Sequence, residues 1–134
     1  MTISTFADLL RDARNQGEPQ RLLFVFAAAE LPDDATPEQR ARFDAGQGGA
    51  LTPLMCVDKT ADEFSGFDAL VTESREFGRP WDIVFVAALA GHSGCSPTSA
   101  QAEAPLRRMV ESIRSGSLGG FIPFDARGEA VRFS

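Results

Sequence analysis

The sequence predicts an α+β fold: a single domain with one mixed five-stranded sheet covered by three to four helices. Three observations carry that expectation. Apolar runs of strand length stand at 21–30, 50–58 and 83–90. Stretches with helical periodicity lie before, between and after them. The chain then closes on two short β-rich segments with a Gly-containing turn between them, which read as a hairpin.

Residues 5–16 read as the first helix. Phe6, Leu9, Leu10 and Ala13 recur with helical spacing, and Thr5 with Asp8 has the spacing of a capping box. Gly17 and Pro19 end it. Arg21–Glu30 is a strand apolar on both faces, so it is expected to be buried on both sides. Residues 31–49 form a flexible loop with a short helix. Thr36, Pro37 and Gln39 supply a cap, a first-turn proline and a second capping box. Gly46, Gly48 and Gly49 follow, but no Lys-Ser/Thr comes after them, so a hinge or flap is expected there rather than a phosphate cradle.

Ala50–Asp58 reads as the second strand, with Pro53 at an edge or bulge and Cys56 as a buried, hydrophobe-like thiol. Thr60–Glu63 has capping-box spacing before a helix whose stripe is Phe64, Phe67, Leu70, Val71 and Phe77. Trp81, the sole tryptophan, is read as an anchor. Ile83–Ala90 is the central strand. Its tail, Ala87–Ala90, is small enough to let a helix or a ligand approach the backbone. A last helix begins between Thr98 and Pro105 and carries Leu106, Met109, Val110 and Ile113. Phe121–Phe124 and Ala130–Phe133 are the fourth and fifth strands.

Composition excludes several functions. The chain has 134 residues, 43% hydrophobic and 24% charged, with a formal charge of −6. Phosphate-backbone binding needs clustered Lys and Arg, and no basic stripe is present, so nucleic acid is not expected as a partner. No run reaches membrane-spanning length, and the amino terminus does not resemble a signal peptide. Two cysteines without zinc spacing fit free thiols in a reducing cytoplasm. No dinucleotide fingerprint, P-loop or triad is legible, so no cofactor and no metal is implied.

The chemistry-bearing residues concentrate after strands. His92, Ser93 and Cys95 follow the central strand, Asp58 and Lys59 the second, and Asp125 and Arg127 the fourth. Helical crossovers make strands two, three and four parallel. Their carboxyl ends then share one edge, where α/β sheets bind ligands. His92 and Cys95 are candidates for acid/base and nucleophile, Asp58 and Asp125 for an acid/base pair, and Lys59, Ser93 and Arg127 for ligand binding. Three functions follow: a small soluble binding or regulatory domain, self-associating through a strand edge or the Trp81 region; a small enzyme with a Cys/His site in the 91–96 loop; or a subunit of a larger assembly.

The segments RLLFVFAAAELPDDATPEQRARFDAGQGGALTPLMCVDKT, FGRPWDIVFVAALAG and SLGGFIPFDARGEAVRF together resemble a family of small bacterial proteins, some labelled ribonucleotide reductase subunit alpha. The resemblance spans nearly the whole chain and implies a compact cytosolic α+β domain. It brings no catalytic residues to carry over. The chemistry that label names needs a large barrel, a radical cysteine and a redox-active cysteine pair, whereas this chain has Cys56 and Cys95 alone.

Overall fold

A computed structural model describes residues 5–30, 34–44, 50–61, 66–76, 80–115 and 121–131. The fold is α+β. In chain order the elements are α1 (Phe6–Arg14), β1 (Gln20–Glu30), α2 (Pro37–Asp44), β2 (Ala50–Thr60), α3 (Phe67–Arg75), β3 (Ile83–Ala90), α4 (Ser99–Ser115) and β4 (Ile122–Phe124).

The local signals explain the helices. Thr5 and Asp8 form the reciprocal capping box at the start of α1. Thr36 and Gln39 form the same device before α2, the short helix expected within 31–49; the glycines at 46, 48 and 49 lie outside the described residues. Thr98 and Gln101 form a third box before α4. Pro105 falls inside α4, which continues through it on an apolar stripe of Ala102, Leu106, Met109 and Ile113. The box expected at Thr60 does not start a helix: Thr60 is the last residue of β2, and α3 starts after Gly66, whose φ of 139° favours glycine.

The sheet is where expectation and structure part. Among the described residues it has four strands in the order β2-β1-β3-β4, every neighbouring pair antiparallel. The expected mixture of parallel and antiparallel pairs is therefore corrected, and four strands rather than five are found among the described residues. β2 and β3 do run in the same direction, as a helical crossover requires, but β1 lies between them and pairs antiparallel with both. β4 runs against β3. Of the expected fifth strand, Ala130 makes an isolated bridge to Phe124 and Val131 N–H donates to the Pro123 carbonyl at 3.0 Å, while Glu129, just before it, bridges to Thr5; residues 132 and 133 lie outside the described residues.

β1 is the centre of the molecule. Residues 22–27 are all buried, in line with a strand apolar on both faces. One face carries Leu22, Phe24 and Phe26 against α1 and α3, through Phe6, Leu9, Leu70, Val84, Val86 and Phe124. The other carries Leu23, Val25 and Ala27 against α4, with Phe85. Trp81 is half-buried and packs against the core. Its ring packs on Phe26 at 4.9 Å, and its indole N–H donates to Ser74 Oγ at 2.7 Å, tying α3 to the sheet.

Hydrogen bonds at the sheet's ends fix which residues face which neighbour. Ala61 N–H donates to the Gln20 carbonyl, and Gly91 N–H to the Pro19 carbonyl. Antiparallel ladders alternate, so even-numbered β1 residues bond β2 and odd-numbered ones bond β3. In β2, Cys56 and Asp58 therefore turn their backbone groups to the outer edge. The register shifts by one between Phe26 and Ala27. Pro53, opposite Ala27, then points its missing N–H outward as well, the position an edge strand tolerates.

Candidate functional site

The loop after β3 is a built turn. His92 and Cys95 exchange two backbone hydrogen bonds, His92 N–H to Cys95 O at 3.1 Å and Cys95 N–H to His92 O at 2.9 Å. Between them, Ser93 has φ 52° and Gly94 φ 78°. Two positive φ values in a two-residue connection are the signature of a type I′ hairpin. Residues that exchange both bonds stand opposite each other, about 5.5 Å apart at Cα, with side chains on one side. The imidazole and the thiol thus share a face of the turn, and both residues are exposed.

The turn is pinned from below by the segment before β1. Gly91 N–H donates to Pro19 O at 2.9 Å, and Gly94 N–H to Glu18 Oε2 at 2.8 Å. Downstream, Arg21 reaches across the sheet. Its Nε–H donates to the Pro97 carbonyl at 2.6 Å, and its Nη1 meets Asp58 Oδ2 at 2.6 Å. Ser99 Oγ donates to the same carboxylate at 2.8 Å. The Arg21 and Asp58 side chains are 13% and 17% exposed, so the pair is held largely out of water. It clips the start of α4 and the end of the loop onto the sheet.

Beside this turn lies a cleft of ≈ 270 Å³, lined by Leu89, Ala90, Gly91, His92, Cys95, Ser96, Pro97 and Gln101. His92 and Cys95 are both in its wall. Asp58 is not, and touches it only through Arg21 and Pro97.

The expected convergence of three loops is half met. β2 and β3 end on the same edge of the sheet, which brings Asp58 and the 91–96 loop to one end. Asp125 and Arg127 stand at the opposite end, because β4 runs against β3, with Phe124 paired to Val84. There Asp125 Oδ1 accepts from Arg127 N–H at 2.8 Å and Glu129 N–H at 3.1 Å, an Asx-type turn role. Arg127 is solvent-facing, 81% exposed and 3.9 Å from Asp125. Lys59 belongs to the other face of the sheet from Asp58 and pairs with Glu73 of α3 at 3.0 Å. Ser93 is an exposed turn residue.

Cys56 is not the buried thiol its neighbours suggest. It is exposed on the edge strand. Partial desolvation, and after it the charge of Asp58 two residues on, push its pKa above the ordinary value. Among the described residues no group of three or more His, Cys, Asp or Glu is gathered as a metal would require.

Arg21, Glu18, Ser99 and Gln101 are the site residues that motif reading missed. Arg21 had a signal, a cation opening an otherwise apolar run. Thr98 and Gln101 also had one, their capping-box spacing. Glu18 and Ser99 had none, since both act through strand order.

No family model, curated protein or solved structure matches the chain.

Proposed function

We propose that this chain is a small binding or regulatory domain that takes a small polar ligand in the cleft beside the His92–Cys95 turn. One observation carries the reading. The turn is braced by Pro19, Glu18 and Arg21, so an imidazole, a thiol, the Ser96 hydroxyl and the Gln101 carboxamide are presented on fixed backbone. A pre-formed concavity with a few fixed polar groups is the usual form of a small-molecule site. The small Ala90 at the end of β3 keeps it open. The two exposed free thiols accord with a reducing, cytoplasmic setting.

The test is a metabolite and fragment screen read by ¹H–¹⁵N spectra of the full chain. Bound compounds should perturb amides of residues 89–101, and the perturbation should vanish in Ala90→Phe, which fills the cleft from an exposed position. If no compound perturbs those amides, or the perturbation persists in Ala90→Phe, the reading fails.

A second reading is favoured by the shared face of His92 and Cys95: a thiol enzyme with Cys95 as nucleophile and His92 as base. It requires Cys95 to be alkylated by iodoacetamide at neutral pH faster than a free cysteine, and slower in His92→Ala. Equal rates in the two proteins sink it.

A further inference from the structure

A second groove lies away from the turn, between α1 and the inner end of β3. Its α1 wall is Leu9, Asp12 and Ala13, spaced so that the three share one helix face, and Gln16 stands just past the end of that helix. Val86, Ala88 and Ile122 form the opposite side, Gln20 is also part of the lining, and the volume is ≈ 370 Å³. The cause is local. The apolar stripe of α1 stops at Ala13, with Asp12 beside it and Gln16 past the helix end, while the facing strand carries alanines at 87 and 88. Neither side fills the space.

Asp12 is the one charged group in the lining; the other two polar side chains are carboxamides. Asp12 is half-buried, and its carboxylate accepts from the Gln16 carboxamide at 3.4 Å. Among the described residues no Lys or Arg stands within ion-pair distance of it. Gln16 also donates to the Asp12 carbonyl at 3.1 Å, and Gln20, 8% exposed, donates to the Glu18 carbonyl at 3.0 Å. The lining is thus one carboxylate with no cation partner among the described residues and two carboxamides above an apolar floor of Leu9, Ala13, Val86 and Ile122, on a chain of net charge −6.

We infer that this groove binds a small amphipathic cation, a primary ammonium on an aliphatic body. The ammonium supplies three donors to acceptors that lack a cation, and the body covers the apolar floor. Anions are repelled by Asp12, and a bulky guanidinium is not needed to match a single carboxylate.

The test uses the full chain and three probes with one hexyl body: hexylamine, hexanol and hexanoate. In ¹H–¹⁵N titrations at pH 7, hexylammonium should shift amides of residues 9–16 and 86–88. Hexanol should bind about tenfold more weakly, the worth of a charged over a neutral hydrogen bond, and hexanoate should not bind. Asp12→Asn should erase the preference for the amine over the alcohol. Ala88→Phe, at an exposed position, should abolish binding of the amine. The inference is overturned if hexylammonium does not bind, if hexanoate binds as well, if the preference survives Asp12→Asn, or if the amine still binds to Ala88→Phe. Should Ala88→Phe not fold, the Asp12→Asn comparison decides alone.

Discussion

Gly91 is the residue on which the His92–Cys95 turn depends most directly. A Cβ placed there would overlap the Cys95 carbonyl oxygen and would also stand 2.9 Å from the Cys95 carbonyl carbon and 3.0 Å from Pro19 O. All three are backbone atoms, so no side chain can swing aside. Gly91→Ala therefore has to move the turn off the segment below it. That removes the Gly91–Pro19 bond and strains the Gly94–Glu18 bond and the His92–Cys95 pair. A neutral bond contributes about 1 kcal/mol and one to a charged group about 1.5–3 kcal/mol, less where water replaces it. The expected loss is about 2–4 kcal/mol, or roughly 6–15 °C in Tm for a chain of this length. Two other glycines calibrate the assay. Gly17→Ala meets nothing within 4 Å and should change stability by under about 0.5 kcal/mol. Gly94→Ala also meets nothing, but its φ of 78° should cost about 1 kcal/mol. Urea unfolding of the three variants should rank Gly17, Gly94, Gly91 in increasing damage. A Gly91→Ala protein as stable as Gly17→Ala would refute the packing argument and with it the braced turn.

Three more outcomes follow from the same geometry. Arg21→Met strands the Asp58 carboxylate and leaves the Pro97 carbonyl without its donor; it should lower stability by about 1–3 kcal/mol, and a double-mutant cycle with Asp58→Asn that gives no coupling would dismiss the clip. The raised Cys56 pKa means less thiolate at neutral pH, so in Cys95→Ser the remaining thiol should alkylate more slowly than free cysteine at pH 7.5 and faster once Asp58→Asn removes the neighbouring charge; no acceleration would show that Asp58 does not act on it. Pro53→Thr restores an outward N–H on the edge of β2, so sedimentation should show more self-association than in the wild-type chain, and an unchanged profile would mean that the edge is guarded by something other than Pro53.

What the sequence makes legible is local. Ile83–Ala90 is readable because its β-branched and aromatic core is bounded by Pro80 and Gly91. Thr5 with Asp8 and Thr36 with Gln39 announce their helices through capping boxes. Strand order is a different kind of quantity. That β1 inserts between β2 and β3 depends on which faces pair after collapse, and no short pattern encodes it. Cys56 shows the consequence. Between Met55 and Val57 it looks buried, yet alternation sends those two to the α1 and α3 side and Cys56 to the other, on an edge strand where it stays exposed. Asp125 misleads for the opposite reason. Its turn role is local and legible, but its assignment to the site assumed a parallel β4.

The candidate site and the core are therefore joined through register. Arg21, Leu23, Val25 and Ala27 alternate onto one face of β1, the face that α4 covers. Slipping β1 by one residue against β2 or β3 would turn Leu22, Phe24 and Phe26 toward α4 and carry Arg21 to the far face. It would then reach neither Asp58 nor Pro97. The apolar residues alone resist this slip weakly, because β1 is hydrophobic on both sides and Phe24 and Val25 are both fully buried. A paired charge at the end of such a strand breaks the near-symmetry of its two faces. Buried pairs contribute little net stability against apolar replacements but exact a large cost when one partner is lost. On that argument Arg21–Asp58 acts first as a register lock, and the braced turn that walls the cleft follows from it.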